Sequence, residues 1–364
     1  MSGLRKDLYN QESLQKLALD IQSVYAPFQV EAFVESILDK TWNGLELKDQ
    51  VYRIAENLGK YLPPDYGEAI RLIDGVVMHY GTWQEGFGGF FPAYVELYGR
   101  DESNWELSMG ALARFTPYAS AEFAVRPFII DHEERMMAQM YAWSKDEREC
   151  VRRLACEGCR PALPWARALP RFKKDPAPIL PILEQLKEDP SLYVRRSVAN
   201  NLNDISKTRP DIVVRLAGEW VGKHAYTDWI VKQGCRTLLK AGNRDVLDIF
   251  GFTDAATVDV EDFVLANAFV SVGNDLVFSF GITARKAAKV RLEYGIDFAK
   301  SNGSYSRKIF RISEGLLKEN ESRFYTKKHS FTEESARKYD LGTHAIALLV
   351  NGEECGKLNF ELTK

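Results

Sequence analysis

Ser144-Lys-Asp-Glu-Arg-Glu-Cys-Val-Arg-Arg-Leu-Ala-Cys-Glu157 and Lys187-Glu-Asp-Pro-Ser-Leu-Tyr-Val-Arg-Arg-Ser-Val-Ala-Asn200 are one pattern written twice. Val151-Arg152-Arg153 falls on Val194-Arg195-Arg196 at an offset of 43 residues. A period of that length belongs to stacked helix pairs, each burying one face against the next. Asp189 followed by Pro190 predicts an N-cap with proline at the first helical position, and Ser144-x-x-Glu147 predicts a capping box. On a helical wheel Val194, Val198, Leu202 and Ile205 form one apolar stripe. Arg196, Asn200 and Asp204 form a separate polar stripe, which Arg153, Glu157 and the nearby Arg160 continue in the first copy.

Weaker copies flank these two. Residues 107–115 align with Val151 at an offset of 44, and Ser120 to Phe128 predicts a partner helix carrying Glu122 and Arg126. Trp229 to Leu239 aligns with Val194 at an offset of 37 and is closed by Gly242. Earlier, Leu47 to Leu58 is amphipathic and is expected to end at Gly59, and Tyr66 to Tyr80 is a further helix. Gly86-x-Gly88-Gly89 lies in an aromatic, glycine-rich connector, with no strand before it and no Gly-Lys-Ser/Thr after it to make a phosphate loop. From Val260 the period changes to two. Val290, Leu292, Tyr294, Ile296 and Phe298 alternate with charged or small residues, as do Ile346, Leu348 and Val350, then Leu358, Phe360 and Leu362. Asn302-Gly303 and Asn351-Gly352 are turn signals. The expected architecture is mainly α, a HEAT-like helical-repeat solenoid over residues 1–253. An all-β immunoglobulin-like sandwich over residues 258–364 follows it.

The 364 residues carry a formal net charge of −3, so any role on nucleic acid must rest on a local basic surface. The tail offers one, with Lys286, Lys289, Arg291, Arg307, Lys308, Arg311, Arg323, Lys327 and Lys328. No apolar run approaches a membrane span, and Met1 to Asp7 has no signal-peptide core. An odd number of cysteines, five, points to a reducing compartment, and the cytoplasm is expected.

Cys156-x-x-Cys159 has no second pair and no nearby histidine, whereas a structural zinc needs four ligands, so it reads as two small residues between repeats. No metal or cofactor is expected. The five histidines are scattered and receive no role. Glu122, Glu157 and Asp204 read on pattern alone as solvated helix carboxylates, Glu157 pairing with Arg153. Their setting argues for more. Three acids on successive helices are flanked by Arg153, Arg160, Arg195 and Arg196, and Pro161-Ala-Leu-Pro-Trp165 is a proline-fixed turn displaying an indole. Guanidiniums for phosphates, an aromatic for stacking and a carboxylate for a developing cation are the parts of a nucleic-acid glycosidic site.

These segments, together with Ala121-Glu-Phe-Ala-Val-Arg-Pro-Phe128 and Asp189 to Asp204, resemble the AlkC type of bacterial DNA alkylation repair glycosylase, over nearly the whole chain. The resemblance implies excision of N-alkylated bases such as 3-methyladenine and 3-methylcytosine from duplex DNA, without full base flipping. It implies Glu157 against the oxocarbenium-like sugar, Glu122 and Asp204 supporting it, and Trp165 packing on the lesion nucleotide. Arg153, Arg160, Arg195, Arg196 and Asn200 would bind DNA, with basic loops of the tail closing on the duplex. It also implies a monomer, bacterial and nucleoid-associated when bound to DNA. Two other readings stay open: a non-catalytic HEAT-repeat scaffold and a damage-binding protein without turnover.

Overall fold

The computed structural model describes residues 8–81, 88–252, 254–333 and 338–364. Gly86 of the glycine-rich connector lies outside the described residues, as do Met1 to Asp7. The chain forms two compact units: Met1–Arg209 with Gly222–Gly234, and Pro210–Val221 with Cys235–Lys364.

The first unit is a helical-repeat array. Its helices include Leu47–Tyr61, Trp105–Phe115, Val125–Asp131, Glu133–Trp143, Glu149–Gly158, Leu180–Leu186, Leu192–Ile205 and Ala225–Gly234. The apolar stripe Val194, Val198, Leu202 and Ile205 is buried, each side chain contributing about 1.5–3 kcal/mol by leaving water. Neighbouring repeats approach closely: a Cβ on Gly234 would lie 2.9 Å from Leu202 Cβ.

The repeat starts differ from the expected caps, and side-chain chemistry explains why. Ser144 ends the helix Glu133–Trp143, and the next helix begins only at Glu149. In between, Asp146 Oδ1 accepts from Arg148 N at 2.9 Å, and its carboxylate also takes the Arg148 guanidinium. A short acid bonded to its own downstream backbone holds a turn in place of a helix. In the second copy Ser191 occupies the N-cap of Leu192–Ile205, and Asp189 Oδ1 accepts from Ser191 N at 2.8 Å. The acid of each copy therefore organises the turn before the helix. Gly59 does not terminate its helix, which runs to Tyr61; glycine is needed there because the Tyr98 ring occupies the place of a Cβ. Glu122 precedes the helix Val125–Asp131 in a turn. The third copy is divided between Ala225–Gly234 and Arg236–Lys240, and Gly242 closes it at φ +68°.

The β-sandwich contains β1 Val258–Leu265, β2 Phe269–Ser271, β3 Asp275–Ala284, β4 Ala288–Ala299, β5 Tyr305–Leu317, β6 Ser322–Ser330, β7 Gly342–Val350 and β8 Glu353–Thr363. One sheet has the order β1-β3-β6 and the other β2-β8-β7-β4-β5, antiparallel except for β2 beside β8. Phe278, Phe280, Ile282, Tyr294, Ile296, Ile346, Leu348 and Phe360 belong to its core. Asn351 and Gly352 both take positive φ, 49° and 82°, which suits the tight β7–β8 hairpin. Arg291, Glu293 and Asp297 of β4 are buried too, because Arg291 pairs with Glu293 and Glu314, and Asp297 with Arg307 and Lys357. Arg323 meets Glu321 and Lys328 meets Asp275, so much of the tail's positive charge is compensated within its own unit. Among the described residues no helix is long and apolar enough to cross a membrane.

Candidate active site

Three acids from three separate elements of the helical array meet in one chain of alternating charge. Glu122 comes from the turn before Val125–Asp131, Glu157 from the last turn of Glu149–Gly158 and Asp204 from the last turn of Leu192–Ile205. Arg153 joins the first two: its Nη1 lies 3.0 Å from Glu122 Oε2 and its Nη2 3.5 Å from Glu157 Oε1. Arg160 joins the second and third, with Nη1 2.6 Å from Glu157 Oε1 and Nε 2.9 Å from Asp204 Oδ2. Lys207 Nζ closes the chain 3.1 Å from Asp204 Oδ1. Ser197 Oγ donates to Glu157 Oε2 at 2.6 Å, and Arg153 also donates to Ser120 Oγ.

The chain is mostly sheltered. Glu157 is 6% exposed and Asp204 4%, while the Glu122 side chain, at 15%, is the most accessible of the three acids. Burial works against the charges of Arg153 and Arg160, but the carboxylates beside them win and raise both guanidiniums above their ordinary values. Arg153 further lies 5.1 Å over the Tyr193 ring, and burial holds the Tyr193 hydroxyl protonated, opposed by Arg153 and helped by Glu122 and Glu157. A buried ion pair is weak evidence for stability, because desolvation offsets most of the attraction. A run of several costs more to desolvate than a plain apolar contact would and points to use of the charges.

Trp165 stands out by contrast. It is 84% exposed and takes φ +60°, a left-handed conformation that a bulky side chain adopts only when its surroundings impose it. Leu163 anchors the same turn by being buried, and Lys48 Nζ donates to the Trp165 carbonyl at 3.3 Å.

Of the nine residues the sequence singled out, Glu122, Glu157, Asp204, Arg153 and Arg160 are brought together. Arg153 and Arg160, expected at flanking phosphates, point instead at the acids. Arg196 is exposed, with no hydrogen bond or ion pair among the described residues, and Asn200 is half-buried one turn on. Arg195 lies elsewhere. Its Nη1 donates to the carbonyls of Asp189 and Pro190 at 2.8 and 2.7 Å, and its guanidinium stacks 3.9 Å from the Tyr226 ring centre. Cys156 and Cys159 are buried between Glu149–Gly158 and Leu192–Ile205, where Asn201 Nδ2 donates to the Cys156 carbonyl at 2.9 Å. Burial pushes the Cys156 thiol up to about 12 and Cys159 well above the usual thiol range. Among the described residues no group of three or more His, Cys, Asp or Glu could hold a metal ion.

Sequence reading missed Ser120, Ser197, Lys207 and Lys48. Only Lys207 had a signal, standing three residues after Asp204 on the same face. Ser197 and Lys48 reach their partners across 40 and 117 residues, which no local spacing encodes.

A family model described as "DNA alkylation repair enzyme" matches residues 116–238, and one described as "Uncharacterised protein YhaZ, C-terminal Ig-like domain" matches residues 259–364. A Bacillus subtilis (strain 168) protein described as "Uncharacterized protein YhaZ" is 42% identical over 358 residues, covering 98% of this chain and 99% of that protein. Among solved structures, Pseudomonas fluorescens alkylpurine DNA glycosylase AlkC, bound to DNA containing an abasic site analog, matches with a TM-score of 0.93. It is 35% identical, and the match covers 99% of each chain.

Proposed function

The chain belongs to the family of AlkC-type DNA alkylation repair glycosylases, and from that premise we propose that it excises N-alkylated bases, 3-methyladenine and 3-methylcytosine, from duplex DNA. The observation that carries this reading is the run Glu122–Arg153–Glu157–Arg160–Asp204, held on one helical array that also displays the strained, solvent-facing Trp165.

The chemistry follows from the lesion. A base methylated at N3 is cationic, so it leaves with the electron pair of the C1′–N bond and needs no proton from the protein. Positive charge then develops on the sugar, and a fixed carboxylate in a water-poor site stabilises it far better than solvent does. Glu157 takes that role. Ser197 and Arg160 fix its carboxylate in advance, so no reorganisation is needed during the reaction. Glu122, the most exposed of the acids, supports it by orienting the water whose oxygen bonds to C1′ and by taking up the proton that water gives up, and Asp204 supports it by anchoring Arg160. The cationic nucleotide takes over the contact that Arg153 makes with the two glutamates in the unbound chain. Trp165 packs on the lesion nucleotide without full flipping, in contrast to most enzymes that act on bases.

The division of labour we propose gives residues 1–253 the site and residues 258–364 a supporting role in binding the duplex, with the protein acting as a monomer without cofactor. Arg196 and Asn200 meet phosphate, and Arg153 and Arg160 serve chiefly to hold the acids. Incubation with methylated duplex DNA tests the reading. Release of free methylated base supports it; binding without release would make the protein a damage sensor, and neither would make it a scaffold.

A further inference from the structure

Pro161 to Ala166, the turn that displays Trp165, is bracketed by one buried side chain. Arg126, on Val125–Asp131, is 0% exposed. Its Nη1 donates to the carbonyls of Gly158 and Arg160, at 2.9 and 3.0 Å, where the preceding helix ends. Its Nε donates to the carbonyl of Arg167, where the chain returns. A single guanidinium thus ties both ends of the turn, and Lys48 Nζ holds the Trp165 carbonyl at its apex from another helix. Lys48 is itself seated between the rings of Tyr52 and Phe123, 5.7 and 5.8 Å from their centres.

Arg126 is costly where it stands. No carboxylate pairs with it, its Nη2 has no hydrogen-bond partner among the described residues, and burial lowers its guanidinium to about 10. A buried cation bonded directly only to backbone carbonyls, with the charges of Glu157 and Asp204 helping from a distance, adds little stability compared with an apolar residue of similar volume. The planar fork does what no lysine can, since Nε and Nη1 donate at fixed angles to carbonyls on two separate chain segments. The φ of +60° at Trp165 is a conformation that such ties can impose and a free turn would leave.

We infer that Arg126 and Lys48 are positioning residues for Trp165, Arg126 fixing the two ends of its turn and Lys48 the apex, so that the indole meets the lesion nucleotide preformed. The inference rests on the glycosylase reading above. Misplacing a group at a reacting centre by about 1 Å can lower the rate on the order of a hundredfold while binding persists.

The test is Arg126→Lys, with the exposed Lys48→Met as the variant that keeps the fold whatever happens in the core. Single-turnover release from methylated duplex should fall on the order of a hundredfold in Arg126→Lys, and less in Lys48→Met, while affinity for duplex with an abasic-site analogue stays within a few-fold. In a Trp165→Ala background the same substitutions should add no further loss. Losses that multiply with Trp165→Ala would overturn the inference, since they would mean a role unconnected with the indole. A second measurement is independent of turnover: 19F NMR of protein labelled with fluorotryptophan, the Trp165 line assigned by Trp165→Phe. A shifted or broadened line in Arg126→Lys or Lys48→Met supports the inference, and an unmoved line in both overturns it. Wild-type protein that releases no base would remove the glycosylase reading and leave this spectral result standing on its own.

Discussion

Arg152 and Arg195, 43 residues apart, make the same contact. Arg152 Nη1 donates to the carbonyls of Asp146 and Glu147 at 2.9 and 2.8 Å, and Arg195 Nη1 to those of Asp189 and Pro190 at 2.8 and 2.7 Å. Each ties the turn before its helix to that helix. Arg152 also pairs with Asp189, its Nε 2.6 Å from Oδ2, linking one repeat to the next. The first arginine of Val-Arg-Arg is thus structural in both copies, and the second, Arg153 or Arg196, is the one left for function.

Replacing the two arginines of the second copy should separate these roles. Arg195→Ala is expected to cost about 1–3 kcal/mol, from backbone carbonyls left without a charged donor and a lost stack on Tyr226. Arg196→Ala should leave stability within about 0.5 kcal/mol. It should lower the salt slope of DNA binding by about 1. Denaturant melts and affinities over a salt series would show it; equal slopes for wild type and Arg196→Ala would take Arg196 off the phosphate backbone.

Glu157→Gln keeps the shape of the side chain and removes its charge. Base release should fall at least on the order of a hundredfold, with duplex affinity largely kept. Retained turnover in single-turnover assays would take Glu157 out of the mechanism.

Arg160→Met tests the bridge. With the guanidinium gone, the sheltered carboxylates of Glu157 and Asp204 lose the partner they share, and breaking a buried pair from one side costs about 3–5 kcal/mol. The double variant Arg160→Met/Asp204→Leu should recover part of that stability without recovering activity, read by thermal melting beside the release assay.

Acid should act on the sandwich through Asp297. Hydrogen bonding from Arg307, opposed by burial and helped by Lys357, lowers its carboxyl to about 2 from 3.8. Because the folded value is the lower one, this stabilisation is present above about pH 4 and is lost as the pH falls toward 2. Asp297→Asn should therefore flatten the loss of urea resistance across that window. An acid limb identical to wild type would show that other groups control it.

Thiol titration offers a simple check on the Cys156-x-x-Cys159 pair. Cys355 is exposed and should react first in the folded protein, whereas Cys156 and Cys159 should react only on unfolding. Rapid labelling of Cys156 in native protein would mean that the packing between these repeats opens readily.

The sequence made the repeat legible because its contacts are local and recur: an acid, then an arginine six residues on, then an apolar stripe. The bridging arginines were also within reach, since Arg153 and Arg160 stand four and three residues from Glu157. Their direction was not, because helical spacing cannot say whether a guanidinium turns outward to phosphate or inward to acids on the next helix. The helix starts were misplaced for a related reason. Asp146 and Asp189 are ordinary capping residues by type, and only their partners, Arg148 N and Ser191 N, reveal that each makes a turn. In β4 the alternation hid a second buried face, which the ion pairs of Arg291 and Asp297 make possible.

The exposure of Trp165 has a practical consequence. Among the described tryptophans, Trp42, Trp105, Trp143 and Trp220 are buried and Trp229 is half-buried, so the indole at 165 gives the largest share of the iodide-quenchable emission from these residues. Any molecule that settles on this face will dim or blue-shift that signal, which gives the protein a built-in optical readout of occupancy with no label attached.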